Sequence, residues 1–258
     1  MTVLYPSPIF GPVRSRRLGI SLGINLIPAD GKLCTFDCIY CECGFNALRR
    51  PTMPRPTRQQ VAAALEAQLS LMQQTDKLPD VLTFAGNGEP TAHPDFAAII
   101  DDTIELRNHF CPNAKVSVLS NATMCHKPEV FDALLKVDNN IQKLDTADPR
   151  YIKTVDRPVG NYHVENIIQT LKSFHGHVII QTMFMRGVSD DGTDIDNTSD
   201  NYVLPWIEAV HTIRPQQVMI YTIDRETPAR GLCKAPAEVL DHIAQKVRAE
   251  GFTVSVSY

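Results

Sequence analysis

The chain has 258 residues, 43% hydrophobic and 21% charged, and a formal net charge of -4. That is enough apolar material for one large core or two small ones, and its acidic balance argues against strong nonspecific nucleic-acid binding, leaving only local basic patches for such a role. Seven cysteines, an odd number without the spacing of a secreted disulfide framework, point to a reducing cytosol and to metal or catalytic use; neither a signal peptide nor a membrane span of about 18 apolar residues is expected.

In chain order, Gly19 to Ile27 reads as a first strand that leads into the cysteines. Residues 58–72 carry apolar side chains at helical spacing, with Thr57 as N-cap. A short buried strand over 81–85 follows, then a helix over 95–109 and a strand over 115–119. Pro128 opens a helix to residue 136, at a helix start where its missing N–H costs little. Further strands are expected at 140–144, 177–185, 217–223 and 252–256, and helices at 163–174, 202–212 and 237–250, with Pro205 near the first turn of its helix.

Six βα units and a closing strand imply parallel pairing with right-handed crossovers. A full eight-unit barrel needs about 250 residues, and the first 35 or so, with the cysteine loop, consume part of that length. The expected fold is therefore α/β: a partial (βα)6 TIM-type barrel, its cluster loop directly after the first strand. Residues 1–258 form one domain, with 1–18 as an N-terminal extension packed on the barrel. In such barrels chemistry sits at the C-terminal ends of the strands.

Two constellations stand at that end. Cys34, Cys38 and Cys41 have the spacing C-x3-C-x2-C. Three thiolates suit a four-iron cluster and leave one iron open to a chelating ligand. Zinc wants four ligands, usually from C-x2-C pairs, and Cys41-x-Cys43 is a poor chelate. Cys43, Cys111, Cys125 and Cys233 are scattered and read as small buried or surface residues. The second constellation is Gly86-Asn87-Gly88-Glu89-Pro90, after the second strand of the barrel. Its glycines let a ligand approach the backbone, and Glu89 can receive an ammonium group; alone it would also pass for an ordinary glycine-rich βα turn.

Together, the cysteine spacing with Tyr40 before the third cysteine and the Gly-x-Gly-Glu-Pro run about 45 residues later resemble the radical S-adenosylmethionine (SAM) superfamily. Phe10-Gly11-Pro12-Val13-Arg14, Asp156-Arg157-Pro158 and residues 181–187 look like a subgroup of stand-alone iron–sulfur oxidoreductases related to the tRNA wyosine-synthesis enzymes. The resemblance implies that Cys34, Cys38 and Cys41 hold a [4Fe-4S] cluster, and that Gly86, Asn87, Gly88 and Glu89 flank the methionyl end of SAM. The family usually has two adjacent glycines where this chain has Asn87 and Gly88, which moves the backbone contact to their peptide. The family's chemistry would be reductive cleavage of SAM to a 5′-deoxyadenosyl radical that abstracts a substrate hydrogen.

Strand-end positions in that family touch SAM: here Ser120, Asn121, Lys143, Asp145, Gln181, Met183 and Tyr221, any of which can also be a structural polar residue. Lys143 is expected to pair with a carboxylate, because a buried lysine needs a charge partner. Arg14, Arg16 and Arg17, and separately Arg49, Arg50, Arg55 and Arg58, could hold a phosphate-bearing substrate or be solvated or structurally paired. Asp190, Asp191, Asp194, Asp196 and Asp200 lack the order of a calcium loop and read as a solvated acidic loop. The expected electron donor is a flavodoxin or ferredoxin, and the expected substrate a nucleotide or RNA. A glycyl-radical-enzyme activase acting on a protein partner, and a nonenzymatic zinc- or cluster-binding module, are the alternatives.

Overall fold

The computed structural model describes residues 2–15, 18–190 and 192–258; Arg16, Arg17 and Asp191 lie outside them. Its strands are β1 (Ile9–Ser15), β2 (Gly19–Ile24), β3 (Val81–Phe84), β4 (Lys115–Ser120), β5 (Asn139–Lys143), β6 (Ile179–Met183), β7 (Met185–Gly187), β8 (Gln217–Tyr221), β9 (Leu232–Lys234) and β10 (Val254–Ser257). Its helices are α1 (Arg58–Gln74), α2 (Phe96–Phe110), α3 (Pro128–Leu134), α4 (Pro149–Tyr151), α5 (Val164–Lys172), α6 (Asp200–Ile213) and α7 (Ala237–Ala249).

Eight strands form one sheet in the order β1-β2-β3-β4-β5-β6-β8-β10. From β2 to β10 all pairs are parallel. Within this sheet the strands follow one another in chain order, β7 and β9 pairing outside it, which is the winding of a barrel wall and not of a doubly wound sheet. The sheet ends at β1 and β10, so the barrel is partial.

The two faces divide by the period of two along each strand. Leu22, Ile24, Leu82, Phe84, Val116, Val118, Ile180, Val218 and Ile220 pack outward in the main core with the helices. The intervening Ser21, Thr83, Leu119, Ile141, Gln181, Met183 and Tyr221 face an internal cavity. Each helix seals the outer face with one stripe. In α1 it is Val61, Leu65, Leu69 and Met72, after a reciprocal cap in which Thr57 Oγ1 accepts from Gln60 N–H and Gln60 Oε1 from Thr57 N–H. In α6 it includes Val203, Trp206, Val210 and Ile213.

Several expectations need correction. The strand expected at 177–185 ends at Met183, and residues 185–187 turn away to pair antiparallel with Leu232–Lys234. Within the segment expected as an extension, Ile9–Ser15 form an edge strand, β1, antiparallel to β2. Helix α6 starts two residues earlier than expected, so Pro205 lies inside it, forfeiting one backbone hydrogen bond on an exposed face. Residues 149–156, unassigned from sequence, form α4 and a π turn over Ile152–Asp156, closed by Arg157 in a left-handed conformation at φ +49°.

Trp206 is the largest fully buried side chain. Its ring meets Phe184 edge-on at 5.2 Å, and its Nε1–H donates to Leu144 O at 3.0 Å. Trp206→Ala is expected to lower unfolding free energy by about 3–5 kcal/mol, read as a fall in the urea midpoint.

Candidate functional site

The loop after β2 carries the cysteines across the C-terminal ends of the strands. It is sewn to the loop after β3 by a parallel bridge between Leu33 and Gly88. Leu33 N–H donates to Asn87 O at 3.0 Å, and Glu89 N–H returns to Leu33 O at 3.2 Å. Gly88 makes this possible: a Cβ there would stand 1.9 Å from Leu33 O. Gly86, at φ +131°, would likewise place a Cβ 2.6 Å from Asn25 Cγ.

The N-terminal segment binds both loops. Asn87 Oδ1 accepts from Tyr5 N–H at 2.7 Å, Asn87 Nδ2 donates to Tyr5 O and Pro28 O, and Val3 N–H donates to Glu42 O at 2.8 Å. Arg225, beyond β8, reaches across to donate to Tyr5 OH at 2.6 Å and Glu42 Oε2 at 2.8 Å.

Cys34, Cys38 and Cys41 face a cavity of about 580 Å³ together with Gly86, Gly88 and Glu89, a volume in the range of small-molecule sites. Burial pushes the Cys38 thiol well up, and burial followed by the Glu89 charge pushes Cys34 up to about 12. Hydrogen bonding with Cys43 and the Lys32 charge bring Cys41 down. Lys32 was not singled out from sequence. It is 2% exposed and donates to Gly44 O at 2.6 Å and Asp37 Oδ1 at 3.3 Å, setting a cation behind the cysteine loop. Sequence offered one signal, a lysine two residues before the first cysteine.

Glu89 is 2% exposed. Oε1 accepts from Thr91 N–H and Oγ1–H, and Oε2 from Asn121 N–H at 2.8 Å. All are neutral donors; among the described residues no cation pairs with it. Burial raises its pKa against those hydrogen bonds. A buried carboxylate without a counter-charge is expensive, and this one faces the cavity.

Lys143 contrasts with it. Its Nζ donates to Asp156 Oδ1 at 2.6 Å and also bonds Asp145 Oδ2 and Tyr40 OH. Burial works against the ammonium, but the two carboxylates outweigh it and hold its pKa well above the ordinary lysine range. The carboxylate expected for Lys143 is thus supplied twice by the protein, with Asp156 presented by the unforeseen π turn. Through Tyr40, this ion cluster also fixes the residue before Cys41.

The cavity wall collects Ser120, Asn121, Lys143, Gln181, Met183 and Tyr221 as expected positions. Asn121 Nδ2 donates to Thr35 Oγ1 at 2.8 Å and approaches Cys34 Sγ at 3.6 Å. Gln181 Oε1 is buried with no hydrogen-bond partner. Two expected positions are not on the wall. Asn87 is fully buried, its side chain spent on Tyr5 and Pro28 and its N–H on Asn25 Oδ1. Asp145 turns inward, accepting from Met183 N–H at 2.9 Å besides its ion pair.

The arginine groups separate. Arg14 lines the cavity mouth. Arg49 donates to Thr2 Oγ1, Arg58 forks onto Asp102 with two 2.7 Å bonds, and neither lines the cavity. Of the acidic group, Asp196 pairs with Arg186 at 3.3 Å, while Asp200 opens α6 and pairs with Lys246.

A family model described as the radical SAM superfamily matches residues 30–196. The chain belongs to the radical SAM superfamily. Among curated relatives, a UPF0026 protein of Helicobacter pylori strain J99 is 31% identical over 225 residues, 84% of this chain and 66% of that protein. A UPF0026 protein of Methanocaldococcus jannaschii is 28% identical over 198 residues, 74% of this chain and 58% of that one. The chain thus spans about two-thirds or less of these relatives. In fold it is similar to a radical SAM methyltransferase of Sphaerobacter thermophilus, with a TM-score of 0.67 at 14% identity over 92% of this chain and 66% of that one. It is also similar to Streptococcus suis SuiB bound to SAM, at 0.62 and 15% over 89% and 49%, and to archaeal TYW1, a wyosine-synthesis enzyme, at 0.53 and 13% over 89% and 71%. The curled parallel half-barrel is the fold of this superfamily.

Radical SAM proteins use a [4Fe-4S] cluster and SAM, and the residues present fit both. Among the described residues no three His, Cys, Asp or Glu side chains converge to hold a single metal ion. Three sulfurs that each bind a different iron of a cluster need not converge, whereas zinc ligands must. The uncompensated Glu89 fits an ammonium.

Gly88→Ala is expected to part the two loops: after reconstitution, iron and sulfide per chain should fall at least several-fold while α1–α7 remain by circular dichroism. Lys143→Met leaves Asp145 and Asp156 buried without their cation, and should cost about 3–5 kcal/mol by denaturant unfolding.

Proposed function

We propose that this chain is a radical SAM iron–sulfur oxidoreductase whose substrate is a nucleotide or an RNA base. The observation that carries the radical reading is Glu89, a buried carboxylate with no cation of its own, set on the same cavity as three thiols. When bound, the cluster supplies one electron to cleave SAM, giving the 5′-deoxyadenosyl radical that takes a hydrogen from the substrate. Cys34, Cys38 and Cys41 hold the cluster, and Gly88 and Glu89 receive the amino group of SAM.

Ser120, Asn121, Gln181, Met183 and Tyr221 line the wall for the rest of the cofactor. Gln181 Oε1, lacking a partner within the protein, accepts a donor from what enters. The Lys143 cluster binds no ligand carboxylate in this reading; it orients Tyr40 and the cysteine loop. Arg14 at the mouth suits a phosphate, and the likeness in fold to archaeal TYW1 supports a nucleic-acid substrate. The electron comes from a flavodoxin or ferredoxin: Cys111 follows α2, Cys125 lies between β4 and α3 and Cys233 is on β9, and among the described residues they form no second metal site.

Anaerobic reconstitution followed by dithionite and SAM is the test. The wild type should release 5′-deoxyadenosine; Cys34→Ala, Cys38→Ala and Cys41→Ala should lose both iron and product, while Cys233→Ala keeps them. Glu89→Gln should keep the cluster absorbance yet bind SAM at least tenfold more weakly, about 1.4 kcal/mol. A wild type that yields no 5′-deoxyadenosine would sink the radical reading. A pool of nucleotides or bulk RNA should change the yield, the RNA effect fading as salt rises; if neither changes it, the substrate class is wrong and the radical chemistry stands.

A further inference from the structure

The buried ammonium of Lys32 stands behind the cysteines, its side chain 1% exposed. The main chain delivers it there. Lys32 N–H donates to Arg49 O, and residues 49–51 lie so close over residue 31 that a Cβ on Gly31 would stand 2.4 Å from both Arg49 O and Pro51 N. From this covered position Nζ donates to Gly44 O at 2.6 Å and to Asp37 Oδ1 at 3.3 Å.

Those two acceptors bracket the thiols. Asp37 precedes Cys38, Gly44 N–H donates to Cys41 O at 2.9 Å, and Cys34 lies two residues after Lys32. Burial works against the ammonium, but the charges of Cys41, Cys34, Cys38 and Asp37 outweigh it and raise the Lys32 pKa, so one fixed cation acts on all three sulfurs. Its carboxylate partner compensates it only loosely. Asp37 is 25% exposed, and its Oδ1 also accepts from Asn46 N–H at 2.7 Å. Solvent screens that carboxylate more than it screens the buried ammonium, so a net positive field reaches the sulfurs from this side. On the other sides the balance is negative. Glu89 acts on Cys34, and the Lys143 cluster, which acts on Cys38, sets two carboxylates against one ammonium.

We propose that Lys32 sets the reduction potential of the iron–sulfur site on Cys34, Cys38 and Cys41, holding it up against these negative neighbours. The inference rests on the radical reading and adds a residue that acts through the cysteines without touching SAM. In the step concerned, the oxidised cluster takes one electron from the donor protein, or from dithionite, which is oxidised in turn. No bond forms or breaks, and the site becomes one unit more negative. A buried cation favours that more negative state. Water entering a loosened loop would favour it too. Removing the Lys32 charge therefore lowers the potential, whereas mere loosening of the loop raises it.

The test is a redox titration of the reconstituted chain without SAM, followed by electron paramagnetic resonance of the reduced cluster. Lys32→Met should lower the midpoint by at least ~59 mV, a tenfold loss in the one-electron equilibrium constant. Lys32→Gln, neutral but polar, should do the same. Lys136→Met, which removes an exposed cation paired with Asp101 far from the cysteines in sequence, should leave the midpoint unchanged. An unchanged or raised midpoint in whichever Lys32 variant carries the cluster overturns the proposal. So does loss of the cluster from both variants, which would make Lys32 a strut of the loop. A wild type that takes up no iron and sulfide overturns this inference together with the radical reading. Absence of 5′-deoxyadenosine from a wild type that holds its cluster removes the radical reading alone, because the midpoint is read without SAM.

Discussion

Everything at the mouth of this barrel hangs on a two-bond bridge between backbones, Leu33 with Asn87 and Glu89. It is short-range, directional and intolerant of any side chain at residue 88. Because the bridge is made of main chain, it fixes two loops at once: the one that presents thiols and the one that presents a carboxylate. The strands beneath set only where each loop leaves the sheet. The bridge sets how the loops face each other, and Asn87 then extends the same fastening to the N-terminal segment.

Two buried charges near the bridge illustrate opposite solutions to one problem. Lys143 has two carboxylates and a phenol around it, so its charge is compensated inside the protein. Glu89 has hydrogen bonds but no counter-ion. Neutral donors orient a carboxylate without cancelling its field, and in a low-dielectric pocket that field acts on whatever enters. The first arrangement builds rigidity around Tyr40 and Cys38; the second stores an affinity for a cation.

Much of this was legible in the sequence. Alternating apolar stretches gave the βα units, because strands buried on both faces and amphipathic helices leave distinct periods. The cysteine spacing and the Gly86–Glu89 run were readable because metal and backbone chemistry demand those residues close together. What escaped reading depends on partners distant in sequence. The β1 edge strand, with Gly11 and Pro12 inside it, lacks a strand-like period and exists through pairing with β2. The π turn that delivers Asp156 has no residue signature, and the satisfaction of Lys143 by Asp156 joins segments that no local pattern links. Asn87 looked like a ligand contact because of its neighbours; its burial reveals a fastener. Arg14 reaches the cavity and Arg49, Arg50, Arg55 and Arg58 do not, a distinction that composition cannot make.

The bond between Arg225 and the Tyr5–Glu42 pair has a consequence for access. The sheet ends at β1 and β10, so the barrel has a seam without backbone pairing along its side. At the rim, Arg225 after β8 ties the N-terminal segment to the cysteine loop through Tyr5 and Glu42, three partly exposed side chains, beside a backbone bond from Ala229 N–H to Ile39 O. These contacts lie above the strands, so their parting would loosen the rim with every rung of the sheet left intact. The rim over the cavity is thus held by contacts that can change without any change in the barrel wall beneath it.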